Sequence, residues 1–175
     1  IGVQYGFTAA GATDKIIDLK TKTVMPGWID MHVHIEHETN PNRYLESFTL
    51  NPADYAFQSV RFADITLMTG FTTVRDLGGS GVNVSLRNAI NKGIAVGPRI
   101  YTAGKSIATT GGHADPTNAY RKDLMGDPGP REGVINGADE ARKAVRQRYK
   151  DGSDLIKITA TAGVLSQAKD ASGAQ

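Results

Sequence analysis

His32 and His34 stand two residues apart in Trp28–Ile35, where Ile29, Met31, Val33 and Ile35 alternate with Asp30, His32 and His34. A period of two belongs to a strand, so both imidazoles leave the same face. A divalent ion needs convergent nitrogen lone pairs at about 2.0–2.1 Å, and side chains at i and i+2 meet that need without distorting the backbone. Metal ligation is one reading, and two solvated or hydrogen-bonded histidines at a strand end are the other. The place where an apolar strand runs out into a loop favours metal, because active sites of α/β folds gather there. His37, three residues further on, reads as a loop histidine in water.

Lys157 interrupts Leu155-Ile156-Lys157-Ile158-Thr159, a strand otherwise fit for burial on both faces. Lysine is almost never fully buried without a partner. Three readings are open: an internal ion pair, a side chain that snorkels to the strand end, or a chemically altered amine. Desolvation favours the neutral amine, which can add carbon dioxide and become an anionic oxygen ligand. By pattern alone the ion pair ranks above the carbamate. His113, in Thr109-Thr110-Gly111-Gly112-His113-Ala114-Asp115, is either a substrate contact or an exposed loop histidine. The flanking glycines let the backbone approach a ligand. Arg75 and Asp76 end a strand, and an ion pair or hydrogen bonds that fix that end explain them better than catalysis.

These residues need a frame to hold them. Asn51-Pro52 supplies an N-cap and a proline at the first helical position. Ala56, Val60, Ala63, Ile65 and Leu67 follow as an apolar helical face, and Gly70 is the stop. Phe71–Arg75 is a short β-branched strand. Val82–Lys92 is an amphipathic helix closed by Gly93, and Pro98–Ala103 is a third strand. Gly104–Gly137 is long, rich in glycine and proline, and without period; loops of that length are usually functional or disordered. Ala138–Lys150 is a charged helix, and Leu155–Ala160 a fourth strand. Ahead of all these, Ile1–Ala9, Lys15–Leu19 and Lys22–Met25 read as short strands. Alternating strands and helices argue a parallel sheet with crossover helices. An open doubly wound sheet and part of a (β/α)8 barrel both satisfy the pattern, although a whole barrel takes ~250 residues.

The 175 residues suffice for one ordinary domain, and a net charge of +2 with mixed signs gives no reason to expect nucleic acid or an anionic membrane. No cysteine is present, which excludes disulfides and thiolate metal sites and leaves nitrogen and oxygen ligands. No apolar run reaches the ~18 residues of a spanning helix, and no signal peptide is visible. Gly78-Gly79-Ser80-Gly81 lacks the spacing and ending of a phosphate-binding loop, and a G-x-S-x-G nucleophile elbow is missing. A first residue that is Ile and a last stretch, Ala168–Gln175, that stops in a polar loop read as a fragment of a larger chain.

Val24-Met25-Pro26-Gly27-Trp28-Ile29-Asp30-Met31-His32-Val33-His34 closely resembles the opening of the first barrel strand in the amidohydrolase superfamily. Gly70–Gly79, Thr110–His113 and Ile156–Ser166 resemble later segments of its prolidase-like and imidazolonepropionase-like branch, in the family's order. Ala162 departs from relatives that often carry glycine there.

The resemblance implies an α/β fold that is the first half of a (β/α)8 TIM-type barrel. Residues 1–25 would be closing strands of a small β-sandwich, and residues 26–175 the first four β/α units, with the C-terminal half absent. It implies two divalent metal ions, zinc, with His32 and His34 as ligands of one and Lys157, carboxylated by carbon dioxide, bridging both. His113 would lie near the substrate's carbonyl or carboxylate. The implied reaction is hydrolysis of an amide or peptide bond by a metal-activated hydroxide. Its substrate would be a dipeptide or N-acyl amino acid: Xaa-Pro, Xaa-Lys/Arg or ochratoxin-like. Two further histidines and the aspartate general acid are expected in the missing half. An inactive half-barrel that binds metal weakly is the alternative. A cyclic-amide hydrolase of the imidazolonepropionase type is a third reading, against which Lys157 argues. A homo-oligomer in the cytoplasm, without nucleic acid or membrane, completes the expectation.

Overall fold

A computed structural model describes residues 11–13 and 15–163. The strand expected over Ile1–Ala9 and the polar end from Ala168 lie outside the described residues. From Lys15 to Gly27 the chain is irregular and exposed, so neither Lys15–Leu19 nor Lys22–Met25 is a strand. Ordered structure begins with β1 (Trp28–Val33), followed by α1 (Arg43–Thr49), α2 (Pro52–Met68), β2 (Phe71–Asp76) and α3 (Val82–Asn91). Then come β3 (Arg99–Thr102), the four-residue α4 (Lys122–Met125) and α5 (Ala138–Asp151).

The three strands form one parallel sheet in the order β1-β2-β3. Parallel neighbours need a crossover, supplied by α1 and α2 between the first two strands and by α3 between the next two. The α2 boundaries follow the sequence. The Asp54 carboxylate accepts the Asn51 N–H at 2.8 Å, Pro52 opens the helix, and Gly70 ends it with φ of 103°. The inward face is not the one expected. Ser59 and Ala63 are fully buried, whereas Val60 and Ile65 are 37% and 46% exposed. Ala63 instead joins Ile35, Val74, Leu86 and Ile100 in the core, with Val33, Phe71 and Ile90 packed against it. In α5 acidic residues fill the first turn and basic ones the last, as the helix dipole favours.

Two features of the sheet differ from expectation. Asp30 pairs with Val74 but Val33 pairs with Asp76, so β1 carries one residue too many between them. That bulge falls on Met31 and His32 and breaks the strict period of two. The Asp30 carboxylate accepts the His32 N–H at 2.9 Å, and Arg75 Nε donates to the Met31 carbonyl at 2.7 Å, so both ends of the bulge are held. The fourth strand, in turn, is reduced to contacts. Asp154 N–H donates to the Thr102 carbonyl at 2.8 Å, and Ile107 N–H to the Lys157 carbonyl at 2.9 Å, with a lone parallel bridge between Ile107 and Ile158. Ile156 and Ile158 are exposed, so this segment is covered on one face only.

The long loop is organised by polar links. Buried Asp115 accepts the N–H groups of Gly111 and Thr117 at 2.8 and 2.9 Å and the Thr117 hydroxyl at 2.7 Å. Buried Arg148 on α5 donates to the carbonyls of Arg131 and Lys105. Tyr120 stacks on Tyr44 at 5.4 Å between ring centroids and donates its hydroxyl hydrogen to Ser47, which ties the loop to α1. Among the described residues, no helix is long and apolar enough to cross a membrane.

Candidate metal centre at the strand ends

All strands run the same way, so His34 beyond β1, Leu77 beyond β2, the loop beyond β3 and Lys157 gather at one end of the sheet. His32 and His34 converge there despite the bulge: their ring centroids are 5.6 Å apart with the planes 60° to one another. His34 Nδ1 lies 2.7 Å from the Gly78 carbonyl oxygen. A carbonyl only accepts, so Nδ1 carries the hydrogen, and in the neutral ring Nε2 keeps its lone pair. That is the arrangement of a metal-ligating histidine, whose second nitrogen is fixed by an outer partner.

His32 is biased toward the neutral form. Partial desolvation lowers its pKa first, and the nearby charges of Lys157, His34 and Arg75 add to that effect. The same influence places Lys157 within electrostatic reach of His32. Among the described residues Lys157 makes no ion pair, so the reading that pattern alone ranked highest has no partner there. His113 is exposed, and its ring lies against Gly163: a Cβ there would stand 2.7 Å from His113 Cε1. The loop beyond β3 and the chain beyond Lys157 therefore meet at this histidine.

His37 is not the solvated loop residue expected. It is half-buried, stacked over His34 at 6.4 Å between centroids. Burial, with the charges of Arg43 and His34, pushes its pKa down to about 4. Arg75 and Asp76 form no ion pair. Asp76 is fully buried and accepts hydrogen bonds from Ile35 N–H, the Asn83 amide and the Thr102 hydroxyl at 3.1, 2.6 and 2.7 Å. Its carboxyl pKa is nevertheless raised, because desolvation outweighs those bonds and the Glu36 charge adds to it. Glu36, Asn83 and Asp115 are buried polar residues that no motif or spacing singles out. Only their burial marks them: Glu36 and Asp115 lie in polar loops, and Asn83 in the first turn of α3.

The donor set fits a divalent ion in part. Two imidazoles suit zinc and its neighbours, with a lysine beside them. Among the described residues no group of three or more His, Asp or Glu could hold a metal by itself.

Residues 23–175 match the amidohydrolase family. An ochratoxinase from Aspergillus niger is 32% identical over 160 residues, which cover 85% of this chain and 33% of that enzyme. A solved Xaa-Pro dipeptidase with methionine in its active site superposes with a TM-score of 0.90 at 49% identity, over 97% of this chain and 42% of that one. A solved prolidase complexed with N-methylphosphonate-L-proline gives 0.80 at 35% identity, over 96% of this chain and 41% of that one. The chain thus spans less than half the length of each of these relatives. With likeness running through nearly all of it and a histidine pair poised at the first strand's end, the chain belongs to the amidohydrolase family, beside prolidase and ochratoxinase.

Proposed function

We propose that this chain supplies the first four β/α units of a (β/α)8 metal-dependent hydrolase that cleaves an amide or peptide bond in a dipeptide or N-acyl amino acid. The observation that carries the reading is the pair His32–His34 at a parallel strand end, with His34 Nδ1 committed to Gly78 and Nε2 left to ligate. Likeness to an Xaa-Pro dipeptidase and to an ochratoxinase supports the substrate class, an acyl group joined to an amino acid.

His32 and His34 would hold one divalent ion, zinc by donor type, and Lys157, carboxylated on Nζ, would reach both ions of a pair. Carboxylation joins the neutral amine to carbon dioxide and releases one proton. Bound ions would polarise the scissile carbonyl and lower the pKa of water at the site. The chain's own part is to aim the imidazoles, to favour the neutral form of His32, and to bring His113 beside the chain that follows Lys157, where it would orient the substrate's carbonyl or carboxylate. The proton for the leaving amine and the remaining ligands would come from later strands.

The test uses the full-length polypeptide, with metal analysis and hydrolysis of Xaa-Pro, Xaa-Lys, Xaa-Arg and N-acyl amino acid substrates, ochratoxin included. His32→Ala combined with His34→Ala should abolish turnover and strip the metal; retention of both would sink the proposal. Mass spectrometry of intact protein at neutral pH should find one added carboxyl group, absent from Lys157→Arg.

A further inference from the structure

The Gly78 carbonyl sits in the loop that joins β2 to α3, and four contacts fix that loop. Leu77 N–H donates to the Val33 carbonyl at 3.0 Å, and Gly79 N–H to the Gly104 carbonyl at 2.8 Å. The Ser106 hydroxyl donates to the Leu77 carbonyl at 3.1 Å. The fourth contact is Glu36. It is only 3% exposed, and its two carboxylate oxygens accept Ser80 N–H at 2.8 Å and Asn83 N–H at 2.6 Å.

The loop is shaped to receive this carboxylate. A Cβ on Gly79 would stand 2.6 Å from Glu36 Cδ, and one on Gly78 would collide with Ser106 Oγ. Glycine at both places lets the backbone close on its neighbours. Capping α3 does not by itself call for such a residue. A serine, threonine, asparagine or aspartate at the N-cap satisfies the Asn83 amide locally, and that position holds Gly81 instead. A glutamate from another loop, buried within electrostatic reach of buried Asp76, carries a desolvation cost that a local cap avoids. What it adds is a tie between two points: the chain two residues past His34, and the loop whose carbonyl holds the His34 ring.

We propose that Glu36 is a positioning residue for His34, clamping loop 77–81 so that Gly78 keeps the imidazole in the tautomer that ligates through Nε2. This rests on the metal-centre reading above. Loss of an outer partner bonded to a ligand, here the Gly78 carbonyl that Glu36 would hold in place, weakens metal binding by about 10-fold to 100-fold.

The experiment compares full-length wild type with Glu36→Gln and Gly79→Ala. Glu36→Gln keeps the size but turns a donor toward a backbone N–H; Gly79→Ala keeps Glu36 but crowds its carboxylate, and serves if the first variant does not fold. Leu86→Ala, a core truncation on α3, is the control for general destabilisation. Two quantities are read: zinc transfer to a chelator, and the nitrogen chemical shifts of His34 in zinc-free, histidine-labelled protein. The expected result is faster zinc loss by about 10-fold or more in both variants, with His34 drifting to mixed tautomers, while Leu86→Ala keeps wild-type values. Wild-type zinc retention with an unmixed His34 tautomer in Glu36→Gln overturns the inference, as does equal zinc loss in Leu86→Ala. If wild type itself holds no zinc on His34, the metal-centre reading fails. The tautomer shifts then decide the clamp alone: unchanged shifts in both variants overturn it, and mixed ones uphold it.

Discussion

His37 shows how a single ring links burial to pH. Its imidazole is neutral in the folded chain down to about pH 4, against 6.5 for the free side chain. Between those values the unfolded chain binds a proton that the folded chain refuses. The stabilisation is therefore complete above about 6.5 and is lost as pH falls toward 4. Thermal melts of the full-length protein across that window should show the melting temperature falling, and His37→Gln should remove that part of the slope; superimposable profiles would count against it. Asp76 carries a different load. Asp76→Ala leaves the Ile35 N–H and the Thr102 hydroxyl without their acceptor in the core, and each such group costs about 1–3 kcal/mol. Urea unfolding should register at least one such loss. At this scale the sequence was half legible. His32 and His34 are legible as candidates by spacing, because i and i+2 on a regular strand share a face, whereas the bulge at Met31 and His32 is not legible. In His34-Ile35-Glu36-His37-Glu38 nothing in the order of residues tells that Glu36 and His37 turn inward while Glu38 stays exposed. For Glu36 that outcome is decided by the loop ahead of α3 and the first turn of that helix, far along the chain, and for His37 by Phe62, Ile65 and Thr66 of α2.

At the scale of elements, local chemistry set boundaries well and pairing poorly. Asn51-Pro52 and Gly70 delimit α2 because a cap, a fixed φ and a left-handed residue are local requirements. Gly70 has φ of 103°, and a Cβ added there would meet nothing within 4 Å, so Gly70→Ala meets backbone strain alone. The expected cost is about 1–2 kcal/mol, read as a lower urea midpoint at unchanged slope; a neutral result would show that the turn relaxes. The bulge at Met31–His32 and the broken fourth strand are long-range outcomes. Leu155–Thr159 has the composition of a strand, but its partner ends at Thr102. There Gly104 turns with φ of 64° and presses toward the Ser153 side chain, and pairing resumes only at Ile107. Residue preference carries no record of where a neighbour bends.

Across the whole molecule, apolar side chains lie open where an α/β protein would cover them. Trp28, Ile29 and Met31 on the first strand are each more than half exposed, as are Phe57 and Met68 on α2 and Ile94 beyond α3. A polypeptide limited to these 175 residues should therefore bind a hydrophobic dye and self-associate. Fluorescence and sedimentation would measure both, and a dye-silent monomer at micromolar concentration would count against it. The parallel sheet has a second consequence, in time rather than space. Trp28 must find Phe71 across α1 and α2, and Thr73 must find Arg99 across α3. No two strands meet through a tight turn, so loop-closure entropy is spent before any ladder bond is gained. Helices α2 and α3 can form early from local signals, while the sheet, and with it the histidine pair, must wait for the slowest search in the chain.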